Sequence, residues 1–209
     1  MSLTKGLVFA ERPHIGNTAP TTFEDTSRFG NDGVETAITK VQLPSGLWVS
    51  EFNGSTSEIN FGLRLSFVDQ RAWTLITWVK ITGTPSWHNL STPNKAWNYQ
   101  IMVHSATSLT YYDIDGNSHV VSIGTIADAW HQVALTMDSS RATLGYKDGD
   151  SKGVLSNVVT NSAFSFRYTG ISGGGASLGL HSLYSIYNRA LSPQEIADLF
   201  ESERRFFGV

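Results

Sequence analysis

Closely spaced acidic residues are the first candidates for chemistry in this sequence. The run Asp113-Ile114-Asp115-Gly116-Asn117 begins like a calcium-binding loop, but it lacks the third acidic ligand and the distal glutamate of an EF-hand. Glu195, Asp198 and Glu201 recur every three residues after the start of a predicted helix, and we expect them to face solvent. Glycosidases need two carboxylates beside one groove, and no predicted strand carries such a pair. The 113–117 run is therefore predicted to be a hairpin turn.

Serine, histidine and cysteine patterns do not predict an enzyme either. The segment Gly170-Ile171-Ser172-Gly173-Gly174 has the letters of a nucleophile elbow, a motif that requires a turn from a parallel strand into a helix. Here it lies in a glycine-rich loop between predicted antiparallel strands. The chain has no cysteine, which excludes thiolate catalysis and cysteine-based zinc sites. No pair of histidines has the four-residue spacing of zinc ligands on a helix; the histidines are His14, His88, His104, His119, His131 and His181. We predict a protein that is not an enzyme and has no cofactor.

Aromatic side chains remain as candidates for binding a partner. Exposed rings stack on sugar faces and anchor protein interfaces. The candidates crowd one predicted loop and the strands beside it: Trp87, Trp97, Tyr99, Tyr111 and Tyr112. For Trp87 and Trp97 two alternatives stay open, packing inside the protein and contact with a partner. The apolar end with Phe206 and Phe207 is a second candidate surface, and its alternative is to pack back on the domain.

Charge and hydropathy exclude two classes of partner. The chain has 15 Lys and Arg residues against 18 Asp and Glu residues, a net charge of −3, and its basic residues are scattered singly. A protein that grips a phosphate backbone concentrates basic residues on one face, so we predict no nucleic-acid binding. No stretch approaches the roughly 20 apolar residues that cross a bilayer, and the first ten residues lack the layout of a secretion signal. We therefore predict no membrane partner.

The elements that must position these residues are predicted to be strands. Val133, Leu135 and Met137 alternate with more polar neighbours, a period of two that is typical of a half-buried strand. The turn residues Lys147-Asp148-Gly149-Asp150 then predict a hairpin after a second strand at 142–146. A long surface loop is predicted over 82–98. The other predicted strands are Leu7–Phe9, Gly46–Phe52, Ser57–Phe61, Trp73–Ile81, Tyr99–His104, Leu109–Ile114, His119–Ile123, Ala163–Tyr168 and Ser177–Tyr187.

One helix is predicted near the end of the chain. Ser192 and Glu195 have the spacing of a capping box, and Pro193 occupies the first helical position. A sheet with one apolar face must bury that face against another layer. Many short strands and one late helix therefore predict a single all-β domain over 1–209, a two-sheet antiparallel β-sandwich with one short C-terminal helix.

Six stretches, taken in order, carry a resemblance to a known family. They are Leu7-Val8-Phe9; 25–33; Phe52-Asn53-Gly54-Ser55 with Ile59; 73–80; 130–138 with Lys147-Asp148-Gly149; and 186–192 with the helix that follows. In this order they resemble the laminin-G-like branch of the concanavalin A-like lectin/glucanase superfamily. The resemblance covers nearly the whole chain and implies a jelly-roll sandwich.

The same resemblance implies a calcium site, which the sequence supports only in part. In the family the ion is held by the early acidic loop together with an aspartate on the closing strand. Asp25 and Asn31 match the loop, but the closing-strand position resembles Ser182 in this chain. The alternative is that Asp25 and Asn31 form hydrogen bonds within their own loop.

Two hypotheses follow for the function. The first is an assembly protein of a phage or similar virion, a capsid decoration, tail or fibre component that docks on other virion proteins or on itself. It rests on the single small domain and on the accessory domains of this kind that virions carry. The second is a lectin-like carbohydrate-binding module, located outside the cell or on the cell surface, and it rests on the fold family and the aromatic residues.

Overall fold

Alternating apolar residues form strands along most of the chain. We describe residues 4–11, 13–66, 72–83, 87–92, 100–113, 115–155, 165–172 and 175–209 of a computed structural model. The described strands are β1 (Leu7–Ala10), β2 (Val34–Thr36), β3 (Thr39–Gln42), β4 (Trp48–Asn53), β5 (Glu58–Ser66), β6 (Trp73–Ile81), β7 (Trp87–Ser91), β8 (Ile101–His104), β9 (Ser108–Tyr112), β10 (Ser118–Ser122), β11 (His131–Met137), β12 (Thr143–Lys147), β13 (Asp150–Val154), β14 (Ser165–Thr169), β15 (Ile171–Ser172), β16 (Gly175–Ala176) and β17 (Leu178–Tyr187). Helix α1 (Pro193–Glu203) continues into a 3-10 turn at Arg204–Phe206.

Antiparallel pairing arranges these strands in two layers. The larger sheet has eight strands in the order β13, β12, β11, β6, β17, β4 and β3, with β1 also paired to β17. Its central strand β6 places Trp78 between Gln132 of β11 and Ser182 of β17. The facing layer contains the four-stranded sheet β10-β9-β8-β7 and the three-stranded sheet β14-β5-β2. This arrangement confirms the predicted two-sheet β-sandwich.

The main core lies between the two layers. Trp73, Leu75 and Leu135 come from the larger sheet, and Ile101 and Tyr111 come from the facing strands. All five side chains are at most 1% exposed. Burying one such side chain contributes roughly 2–3 kcal/mol to the free energy of unfolding, so this layer holds the sandwich together.

Helix α1 covers part of the outer face of the larger sheet. Ser192 Oγ accepts a hydrogen bond from the backbone N of Glu195 at 3.3 Å, and Glu195 Oε2 accepts one from the backbone N of Ser192 at 2.9 Å. These two bonds confirm the predicted capping box. Ile196 and Leu199 then pack in one cluster with Tyr146 of β12. In the described part of the chain, no helix is both long enough and apolar enough to cross a membrane.

The prediction that Glu195 faces solvent is wrong. Its side chain is buried, and the guanidinium of Arg189 donates to both carboxylate oxygens at 2.7 and 2.9 Å. Capping folds this side chain back over the helix start, which brings it beside Arg189 at the end of the closing strand. Asp198 and Glu201 are exposed, as predicted.

The region predicted as a long loop contains a strand. Trp87–Ser91 forms β7, which pairs antiparallel with β8 and places Trp87 opposite His104. Leu90 on this strand is fully buried in the main core. The prolines at 85 and 93 on either side of this segment suggested an irregular loop, but five residues between them are enough for an edge strand.

Candidate functional site

The Asp25 loop does not fit a calcium ion. Asp25 Oδ1 accepts hydrogen bonds from the backbone N of Ala10 at 3.0 Å and of Ser27 at 2.8 Å. Its Oδ2 accepts bonds from Ser27 Oγ and from the backbone N of Asn31, each at 2.8 Å. Calcium requires about six to eight oxygen ligands, and here both carboxylate oxygens are already used by the protein. No three His, Asp or Glu side chains of the described ranges are grouped so as to hold a metal.

Ser182 lies where the closing strand is interrupted. The register of β17 against β6 shifts between Ser182 and Ser185, and Leu183 has a φ of 53°. Ser182 is buried, and its carbonyl accepts a hydrogen bond from Thr77 Oγ1 at 3.1 Å. The closing strand therefore supplies no carboxylate at this position.

The 113–117 segment is the turn of a hairpin between β9 and β10, as predicted. Asp113 Oδ1 accepts hydrogen bonds from the backbone N of Asp115 at 3.0 Å and of Asn117 at 2.9 Å. Its Oδ2 contacts Asn117 Nδ2 and His119 Nε2, each at 3.2 Å. Burial raises the pKa of Asp113, but the hydrogen bonds from Asn117 and His119 outweigh burial and the pKa lies below its ordinary value. Asp113 therefore stabilises its own turn.

The segment with the letters of a nucleophile elbow has a different backbone context. Ile171 pairs antiparallel with Ala176, and Ser172 with Gly175, in the short ladder of β15 and β16. A nucleophile elbow needs a strand that turns into a helix. The next described elements after Ser172 are β16 and β17, both strands, and this context supports the prediction of a non-catalytic serine.

Glu11 is a perturbed carboxyl group that the sequence analysis missed. Its Oε2 accepts a hydrogen bond from the backbone N of Tyr184 at 3.1 Å. Burial raises the pKa of Glu11 to about 8, against the opposing effect of that hydrogen bond and of Lys40. The cavity beside it has a volume of about 10 Å³, roughly the smallest space that admits one water molecule. Among the described residues, the space beside this carboxyl is too small for a substrate.

Tyr111 cannot contact a partner, which corrects the prediction for this residue. It points into the sandwich, is fully buried, and its ring centroid lies 5.7 Å from that of Trp73. Successive residues of a strand point to opposite faces, so the neighbouring Tyr112 lies on the outer face and is half-buried. Two further predicted contacts, Trp97 and Tyr99, lie outside the described residues.

Trp87, His104 and Tyr112 form one half-exposed cluster, which we call the aromatic platform. Trp87 and His104 are direct partners on β7 and β8, with ring centroids 3.9 Å apart and ring planes 10° from parallel. The Tyr112 ring lies 6.5 Å from Trp87 at 58°. Met102 and Thr110 are fully buried on the same sheet. Three adjacent strands therefore bring three half-buried rings together on one face of the sheet.

His104 was missed as a member of this platform. In the sequence it is an isolated histidine at the end of a predicted strand. Its position follows only from the register of β7 against β8, because cross-strand partners approach to about 5 Å between their Cβ atoms. The signal was absent because β7 itself was not predicted.

The C-terminal tail packs back on the domain. The Phe207 ring stacks on Trp78, with centroids 4.1 Å apart, and lies 4.7 Å from the Trp130 ring. Phe207 is only 8% exposed, so the prediction that it contacts a partner is wrong and the alternative of internal packing is confirmed. Phe206 is half-buried, and its carbonyl accepts a hydrogen bond from Ser45 Oγ at 2.5 Å.

A cleft opens beside this tail, and we call it the tail cleft. It has a volume of about 480 Å³ and runs between the turn after β3 and the residues that follow helix α1. Its chemically distinct lining residues are Lys80, Trp130, Arg205 and Phe206. Small-molecule sites commonly have volumes of roughly 300–1,000 Å³.

Comparison with known proteins identifies the family of the chain. The family model of the concanavalin A-like lectin/glucanases superfamily named Laminin_G_3 matches residues 53–197. No curated protein matches the sequence.

Solved structures with the same fold are binding domains of bacterial toxins. The binding domain of Paraclostridial Mosquitocidal Protein 1 has a TM-score of 0.69 and 16% identity, over 99% of this chain and 56% of that chain. The binding domain of botulinum neurotoxin DC, solved in complex with rat synaptotagmin II, has a TM-score of 0.66 and 12% identity, over 96% of this chain and 52% of that chain. This chain thus spans about half the length of these structures, and at such identities the likeness concerns the fold alone. The match of the family model over most of the sequence shows that the chain belongs to the laminin-G-like family of the concanavalin A-like lectin/glucanases superfamily.

Proposed function

We propose that this domain is a non-catalytic binding module that recognises a carbohydrate through the aromatic platform. The observation that carries the proposal is the half-exposed Trp87 ring, stacked on His104 and flanked by Tyr112. An exposed indole face covers the apolar face of a sugar ring, and neighbouring imidazole and hydroxyl groups bond to sugar hydroxyls. The platform combines both kinds of contact.

The strands beneath the platform make it suitable for binding. Its three residues stand on β7, β8 and β9, which are adjacent members of one sheet. Rings fixed in advance by packing lose little conformational freedom when a ligand arrives. The stack of Trp87 on His104 fixes the indole in this way, because the two rings lie nearly parallel in contact.

Three carboxylates with perturbed pKa values are engaged within the fold. Asp113 is engaged within its turn, and Glu11 borders a space of about 10 Å³. Glu195 pairs with Arg189. A glycosidase requires two carboxylates that both reach a sugar in a groove, and none of these three is placed to do so.

The test is a glycan-array screen followed by titration calorimetry with the best-bound glycan. We expect Trp87→Ala to weaken binding about five- to thirtyfold, the loss of one stacking contact of about 1–2 kcal/mol. Phe29→Ala is the matched control, because Phe29 is an exposed ring at a different site, beneath Arg28. His104→Ala provides a second variant if Trp87→Ala alters the melting temperature. Unchanged affinity in both platform variants, or an array without any bound glycan, contradicts the proposal.

Docking on other virion proteins is the second candidate, and the same platform favours it. Tryptophan and tyrosine are enriched among the residues that dominate protein interfaces. The toxin structures with this fold are binding domains, one of them solved with rat synaptotagmin II, and this supports a binding role with a protein partner. The virion setting remains a prediction from the sequence.

The two candidates are separated by one further pair of measurements. Mass spectrometry of purified virus-like particles from the source, together with light scattering of the isolated protein, tests assembly. The protein's presence in particles, combined with a negative glycan array, favours docking. A monomer that is absent from particles and binds a glycan through Trp87 favours the carbohydrate module.

A further inference from the structure

The tail cleft has a rigid aromatic floor. Phe207 stacks on Trp78 with ring planes 14° apart, and Trp78 stacks on Phe200 of helix α1 with planes 15° apart. Trp78 Nε1 donates a hydrogen bond to Glu203 Oε2 at 2.6 Å. Three rings and a partly buried hydrogen bond therefore fix the base of the cleft without a ligand.

The walls of the cleft are fixed on both sides. Trp130 is 7% exposed and packs against Phe207 from one side. On the other side, Ser45 in the turn after β3 donates to the carbonyl of Phe206 and ties the tail to that turn. A ligand that enters would meet surfaces that are already in place, and this reduces the entropic cost of binding.

Two cations border this aromatic space. Lys80 is half-buried at the end of β6, and Arg205 is exposed in the tail with its guanidinium 4.9 Å from the centre of the Phe206 ring. Neither cation is ion-paired with a carboxylate of the described residues, whereas Lys40, Lys152, Arg189 and Arg204 are. The cleft therefore has positive charge available for an anionic group of a ligand.

The half-buried carboxyl of Glu203 adjoins the floor of the cleft, and it opposes an anion only weakly. Glu203 lies beneath the floor, bonded to Trp78 and to Gln132 Nε2. Burial raises the pKa of Glu203 to about 7, against those two hydrogen bonds. Glu203 therefore carries less negative charge near neutral pH than an ordinary glutamate does.

We propose that the tail cleft binds an acidic sugar, a pyranose that carries a carboxylate. The carboxylate lies between Lys80 and Arg205, and Arg205 offers the planar fork of donors that fits two carboxylate oxygens. The apolar face of the sugar lies against the half-buried Phe206 ring, while Trp130, only 7% exposed, serves as a fixed wall beside it. The cleft volume of about 480 Å³ exceeds that of an aspartate or glutamate side chain. An acidic peptide side chain would therefore leave the Phe206 ring uncovered, whereas a sugar ring would cover it.

This site goes beyond the platform proposal and is independent of it. The platform stands on β7 to β9 in one layer, whereas the tail cleft lies at the outer face of the larger sheet, where β6, the turn after β3 and the tail meet. Trp87→Ala leaves every residue of the cleft in place. A failure of one proposal therefore does not affect the other.

The experiment titrates the isotope-labelled protein with D-glucuronate and follows backbone amides and the Trp130 indole by NMR. D-glucose is the neutral control, and N-acetyl-L-glutamate represents an acidic peptide side chain. We expect saturable shifts at Lys80, Trp130 and Arg205 with glucuronate and at least about tenfold weaker binding of the other two probes. Raising the salt concentration should weaken glucuronate binding because it screens the two cations.

The matched variants are Arg205→Gln, Lys80→Gln and, as control, Arg204→Gln. We expect each cleft variant to weaken glucuronate binding about tenfold, the loss of one charged hydrogen bond. Arg204 is exposed and lies next to Glu201, outside the cleft lining, so Arg204→Gln should change affinity less than twofold. Melting temperatures verify that the variants fold. Absence of shifts with glucuronate, an equal loss in Arg204→Gln, or tighter binding of N-acetyl-L-glutamate would overturn the proposal.

Discussion

At the scale of single residues, Glu195 shows how one side chain acquires two partners. It closes the capping box with Ser192 and pairs with both guanidinium nitrogens of Arg189. The hydrogen bonds from Arg189 lower the pKa of Glu195 to about 2, although burial opposes this. The spacing of residues 192–195 predicts the cap. It does not predict the arginine, which reaches Glu195 only because β17 ends beside the helix start.

The pKa of Glu203 is shifted in the opposite direction, and this gives a testable prediction. Its pKa in the folded protein, about 7, lies above the ordinary value of 4.5. The contribution of this group to the free energy of unfolding is therefore fully present below about pH 4.5 and is lost as the pH rises to about 7. Glu203→Gln keeps an acceptor for Trp78 and removes the charge. At pH 4.5 the variant has no advantage from this group. At pH 8 we expect its free energy of unfolding, relative to wild type, to be higher than at pH 4.5 by up to about 3 kcal/mol.

Urea unfolding at the two pH values measures this effect. Glu201→Gln is the control, because Glu201 is exposed and forms only a surface pair with Arg204, worth less than about 1 kcal/mol. If Glu203→Gln and wild type show the same pH dependence, Glu203 is not a buried acid with a raised pKa.

At the scale of elements, β17 changes which face its residues occupy. His181 packs on Phe52 inside the sandwich, while Leu183 joins Trp78 and Phe207 on the outer face. Tyr184 is again inside. The irregularity between 182 and 185, with its positive φ at Leu183, inserts the extra residue that makes this switch. The sequence pattern predicts the strand but not the bulge.

Gly179 provides a prediction for the same element. It pairs with Phe52 of β4 and Ile81 of β6 and has a φ of 129°. A Cβ atom here would lie 2.2 Å from the carbonyl oxygen of Lys80, a backbone atom that cannot move aside. We expect Gly179→Ala to lower the free energy of unfolding by about 3 kcal/mol or more, through the clash and the backbone conformation together.

The control for this substitution is Gly124→Ala. Gly124 also has a positive φ, 67°, but a Cβ there meets nothing within 4 Å. Its substitution should cost about 1 kcal/mol, the strain of the backbone alone. Both values come from urea unfolding. Equal losses in the two variants would show that β17 does not pass so closely between β4 and β6.

At the scale of the whole molecule, the two layers enclose a pair of neutral histidines. His181 Nδ1 lies 2.8 Å from the hydroxyl of Tyr184, and His88 Nδ1 accepts a hydrogen bond from the backbone N of Leu178 at 3.3 Å. Burial lowers the pKa of His181 to about 3, helped by the proximity of His88, and burial lowers the pKa of His88 to about 4. Protonation of either side chain in the folded protein therefore costs stability.

Acid sensitivity follows from these two groups. An unfolded histidine takes up a proton near pH 6.5, so the stability that depends on the neutral side chains is present above that pH and is lost as the pH falls toward 4 and 3. Between pH 4.5 and pH 3, Glu11 and Glu203 contribute little to the pH dependence, and they contribute equally in wild type and variant. Between pH 4.5 and pH 3 the free energy of unfolding of wild type should fall. We expect the fall to be smaller in His181→Gln by about 2 kcal/mol.

The measurement is urea unfolding of both proteins at the two pH values. Any cost of repacking at position 181 is the same at each pH and cancels in the comparison. His88→Gln should behave in the same direction with a smaller difference, because its pKa lies nearer to 4.5. A loss in His181→Gln as large as in wild type would mean that His181 is not held neutral.

The sequence by itself predicted most of the longer strands and the capped helix, because each depends on local spacing, while β7 was missed. The alternation at 133–137, the turn at 147–150 and the capping box at 192–195 are short-range patterns that involve neighbouring residues. The Asp113 turn was predicted for the same reason. These features required no knowledge of which strands pair.

Only the tertiary structure decided which of the aromatic residues are available to a partner. Tyr111 and Tyr112 are adjacent in the sequence, yet one is buried in the core and the other lies on the platform. Phe206 and Phe207 divide in the same way between the cleft and its floor. Burial depends on the strands and turns that pack against a residue from distant parts of the chain. His104 joins the proposed platform only because β7 pairs with β8 in this register. Lys80 borders the tail cleft only because the tail packs back on the larger sheet.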